Sequence, residues 1–147
     1  MGSAWRGLFF RLSDPQKDPE KIRREYDEVE VRVHPGASFI CVESGRPTYK
    51  RIARGALQKL SSSFGEVIDL QVSSEGNLHY EHWKNGGLMR ALFWAEGSAW
   101  EVEGEPQPWE TVLGSPPPKS GSQEPFVDPE QVALCISQHF KLPPVTV

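Results

Sequence analysis

Apolar and polar residues alternate from the start of the chain. Between Trp5 and Leu12, the side chains of Leu8, Phe10 and Leu12 fall on one face, the two-residue period of a strand. Asp18 offers a helix cap, with Pro19 at the first helical position and Glu20 in the first turn, which predicts a short surface helix to about Tyr26. Val29, Val31 and Val33 alternate with Glu30 and Arg32 in a half-buried strand that His34-Pro35-Gly36 breaks. Phe39 to Val42 resumes as a short apolar strand. The period then changes. Tyr49, Ile52, Ala53, Ala56, Leu57 and Leu60 recur at three-and-four spacing after a Thr48 cap, a helix that Ser61-Ser62-Ser63 frays and Gly65 ends.

From Glu66 the pattern reads as an antiparallel meander. Ile68, Leu70 and Val72 alternate with Asp69 and Gln71, and strands follow over 78–83, 88–94 and 99–103. Asn85-Gly86 marks the central hairpin, because both turn centres want positive φ. Counting outward from that turn sets Trp83 opposite Leu88, His82 opposite Met89 and Glu81 opposite Arg90. The charge pair favours this register. It predicts a core face of Leu78, Tyr80, His82, Met89, Ala91 and Phe93, backed by a face of His79, Glu81, Trp83, Leu88, Arg90 and Leu92. A slip of one residue would exchange the two.

Seven of the 13 prolines lie between Pro106 and Pro129, and 114–125 reads as a Pro/Gly/Ser-rich loop. Asp128-Pro129-Glu130-Gln131 then starts a helix with a Val132, Ile136 and Phe140 stripe, stopped by Pro143-Pro144. The expected fold is α+β, one domain over 1–147. A largely antiparallel sheet, the four-stranded 66–103 meander plus the N-terminal strands, packs its Tyr80/Ala91/Phe93 face on two or three helices.

Composition narrows the classes. At 147 residues, 37% hydrophobic and 24% charged, the chain is ordinary for a globular domain and is not disordered throughout. No run reaches the roughly 18 apolar residues of a membrane helix, and no secretory apolar region follows the N terminus. The expected setting is therefore the cytoplasm, away from membranes, with Cys41 and Cys135 as reduced, buried thiols. Net charge is −4, split as +4 over 1–64 and −8 over 65–147. That asymmetry bears on partners rather than fold.

Candidate chemistry is sparse. His79 and His82 point to opposite faces of one strand and cannot chelate together, so no metal site or cofactor is expected from them. There is no nucleophile elbow or phosphate loop, and no catalytic residue is assigned. Asp69, Glu81, Glu101 and Glu103 share one sheet face, as an acid–base site requires and as any solvated sheet also shows. Arg46, Lys50, Arg51, Arg54 and Lys59 form a basic helix face that could meet phosphates, but the acidic second half and the lack of a recognition motif argue against nucleic acid.

Four of the five tryptophans fall between Trp83 and Trp109. Trp83 with Leu88, Arg90, Leu92, His79 and Glu81 has the composition of an interface hot spot, unless Trp109 and the prolyl segment cover that face. The stretch from Tyr80 through Arg90 to Trp100-Glu101-Val102-Glu103-Gly104-Glu105-Pro106-Gln107-Pro108-Trp109-Glu110 resembles the tails of small uncharacterised bacterial proteins, over about a fifth of the chain. The overall plan, small, acidic and α+β, is similar to immunity proteins that neutralise toxins. That resemblance implies a non-enzymatic module binding another protein, or a second copy of itself, and brings no activity with it. The alternative is a small-ligand-binding protein or enzyme using the His79/Glu81/Arg90 face.

Overall fold

Leu8, Phe9 and Phe10 are consecutive and all buried, so the strand that carries them must be covered on both sides. That strand, β1 (Trp5–Arg11), lies inside a seven-stranded sheet with β2 (Val29–Arg32), β3 (Phe39–Ser44), β4 (Glu66–Val72), β5 (Leu78–Lys84), β6 (Gly87–Trp94) and β7 (Glu101–Gly104). The structure is a computed structural model and describes residues 5–11, 20–21, 29–32, 38–44, 54–72, 77–94, 101–113 and 129–142. Strand order is β2-β3-β1-β4-β5-β6-β7, with every pairing antiparallel. Strands β3 and β4 flank β1 and are both antiparallel to it, hence parallel to each other. The helix α1 (Arg54–Phe64) lies on the connection between them. A 3-10 turn (Pro108–Leu113) and α2 (Pro129–Phe140) complete the elements, an α+β arrangement.

The two helices lie on opposite faces, and this corrects the expected single core face. Leu57, Leu60 and Phe64 of α1 pack on Leu8, Phe10, Ile40, Val67 and Trp83. Val132, Ala133 and Ile136 of α2, with Trp109, pack on Phe9, Ile68, Leu70, Tyr80 and Leu92. The 54–64 helix also runs through Ser61-Ser62-Ser63 instead of fraying there. Gly65, at φ +89°, ends it by donating its amide to the Ser61 carbonyl at 2.8 Å. Ser61 is buried, and its hydroxyl accepts from the amide of Gly86 at 2.9 Å. The helix end is thereby tied to the β5–β6 turn, where Asn85 and Gly86 both have positive φ.

The register of that hairpin holds for two pairs and then shifts. Lys84 faces Gly87 and Trp83 faces Leu88, but His82 faces Arg90, leaving Met89 as the extra residue of a bulge. Beyond the bulge Glu81 faces Ala91, Tyr80 faces Leu92 and His79 faces Phe93. The expected Glu81–Arg90 pair does not form, and Ala91 and Phe93 lie on the face opposite Tyr80. The bulge also explains Gly104. At φ +85° it lies so close to the Met89 carbonyl that a Cβ would collide with backbone.

The predicted 18–26 helix is described only at Glu20 and Lys21, and the 45–53, 95–100 and 114–128 segments lie outside the described residues, as does His34-Pro35-Gly36. No helix among the described residues is long and apolar enough to cross a membrane.

Candidate functional site

The bulge scatters the six residues of the expected partner-binding patch. Trp83 and Leu88 lie under α1, with Trp83 7% exposed. Arg90 and Leu92 lie on the other face and are buried there with Trp109 and α2 close by. Only His79 and Glu81 keep the positions that the alternative reading gave them, without Arg90. No open aromatic–arginine surface is formed by these residues. Trp109 is a covering residue, as one alternative had it, but it covers the Tyr80/Leu92 face and not the Trp83 face. Its ring meets Tyr80 edge-on with centroids 5.7 Å apart. Burial pushes the Tyr80 phenol far above its ordinary pKa, with the Glu110 carboxylate adding to the effect, so this hydroxyl stays neutral.

Arg90 is held by a different acid. Its Nη2 donates to Glu110 Oε1 at 2.7 Å, its Nε to Oε2 at 3.2 Å, and its Nη1 to the Gly104 carbonyl at 2.8 Å. Glu110 also accepts from the amide of Gln107, closing the first turn of the 3-10 segment on itself. Both partners are buried. The fork geometry satisfies every Glu110 oxygen, and the assembly clamps the 108–113 turn to the sheet.

On the face opposite Arg90 a second polar group is assembled from β4 and β5. Asp69 faces Glu81 and Gln71 faces His79, a two-by-two block on adjacent strands. Asp69 and Glu81 are completely buried, and the side chain of His79 is 16% exposed. His79 Nε2 lies 2.9 Å from Glu81 Oε2 and 3.6 Å from Asp69 Oδ2. Gln71 donates from Nε2 to the other Asp69 oxygen at 3.4 Å, and the Phe93 ring packs edge-on against His79 at 4.6 Å. One ligand atom from each of Asp69, His79 and Glu81 comes within 4.8 Å of the other two. Glu101 and Glu103 extend the same face along β7, where both are exposed.

Known proteins offer no guide to this block. The chain matches no family model, no curated protein and no solved structure.

His82, on the other face, binds Glu66 Oε2 through Nε2 at 2.6 Å and packs against Phe140 of α2 at 4.9 Å. The two histidines therefore belong to separate surroundings. Of the basic helix face, Lys59 is exposed on α1; Arg46, Lys50 and Arg51 lie outside the described residues, and the Arg54 side chain is not among those described. The expectation of two buried thiols fails at Cys135. It is a half-buried free thiol in a cleft of about 330 Å³ lined with Pro108, Trp109, Gln138 and His139.

Asp69 joins His79 and Glu81 from a different strand, so histidine spacing along β5 does not reveal it. The signal was available in the cross-strand pairing of β4 with β5, which brings Asp69 beside Glu81 without any sequence motif.

Proposed function

We propose that this chain is a small-ligand-binding protein whose ligand is a cation, held by Asp69, Glu81 and His79. The observation that carries the reading is two carboxylates facing each other across adjacent strands, both fully buried, with an imidazole 2.9 Å from one of them. One ligand atom from each of the three side chains lies within 4.8 Å of the other two, a spacing at which all three can contact one small cation. A bound cation would reach the carboxylates past His79, which is the member of the three that solvent touches. Trp83 and Arg90 lie buried on opposite faces, so these two residues do not form one exposed patch.

The test is a thermal melt of the full chain with methylamine, methylguanidine and a panel of divalent metal chlorides. A cation present at 100 times its Kd stabilises the folded state by about 2.7 kcal/mol, equivalent to a rise in Tm of roughly 5–10 °C for a chain of this size. The rise should vanish in Glu81→Gln. If no cation raises the Tm of the wild-type chain, the reading fails.

A further inference from the structure

We draw no further inference here: the strongest candidate, the cleft of about 330 Å³ between the 3-10 turn and α2 with the half-buried Cys135 thiol on its wall, offers a lone cysteine beside a Trp109 side chain that is itself buried, and nothing in the structure shows what covers it.

Discussion

On one face of the sheet Arg90 meets Glu110; on the other, Asp69 meets Glu81 across a pair of strands. All four are buried to within 2% of complete, yet the two groups are built on opposite principles. The first is closed. Opposite charges dock as a fork, the remaining guanidinium nitrogen reaches a carbonyl, and a backbone amide takes up the carboxylate. The second sets two like charges side by side at a point that an imidazole connects to solvent. A closed pair fixes a turn in place.

The largest effect is expected at the closed pair. Arg90→Ala removes the fork and leaves the buried Glu110 carboxylate without it, a loss of about 3–5 kcal/mol. The urea midpoint should fall accordingly with little change in m. Replacing both partners by apolar residues of similar volume, as in Arg90→Met with Glu110→Leu, should restore most of the loss, because no charge is then buried. If Arg90→Ala costs less than about 1 kcal/mol, the pair is not the clamp that its geometry indicates.

Why this pair was not legible in the sequence is instructive. Strand β5 alternates cleanly, and its parity could be read from Leu78, His79, Tyr80 and Glu81 alone. Strand β6 is apolar at every position from Leu88 to Trp94 except Arg90, so nothing in it prefers one face over the other. With the alternation silent, the register rested on a Glu81–Arg90 charge pair. Such a pair contributes only a few tenths to about 1 kcal/mol, less than the buried fork that Arg90 makes with a residue twenty positions further on. The bulge at Met89 then moved every later pairing by one. The two-sided burial of β1 is written in the run Leu8-Phe9-Phe10, because three consecutive apolar residues on a strand include both faces. The turn at Asn85-Gly86 was legible because its backbone conformation selects its residues directly.

The like-charged pair should respond differently to removal of one charge. Glu81→Gln keeps the side-chain shape and an oxygen that can accept from His79, so in the absence of any added cation its stability should lie within about 1 kcal/mol of wild type. A loss as large as that of Arg90→Ala would make Glu81 a structural ion like Glu110 and erase the contrast between the two faces. The same denaturation series measures both variants, which keeps the comparison internal.

The smallest effect is expected at a third pair, less deeply buried than either group. Glu66 accepts a hydrogen bond from His82 and lies near Arg11, whose side chain is 51% exposed. The His82 hydrogen bond holds the Glu66 carboxyl below its ordinary pKa of 4.5, against the opposing effect of partial burial, with the charges of His82, Arg11 and Lys84 assisting. A carboxyl whose folded pKa is depressed stabilises the protein above its unfolded pKa and loses that contribution as pH falls through the folded value. The advantage of the wild-type chain over Glu66→Gln should thus shrink as pH falls from about 5 through 4.5 and below. Its size should be about 1 kcal/mol, the net contribution of a typical hydrogen bond. Stability curves of the two proteins measured from pH 5 to pH 3 test this. An advantage that grows over that range would mean that Glu66 is favoured in its protonated form, and the His82 contact would then have to be assigned the opposite proton arrangement.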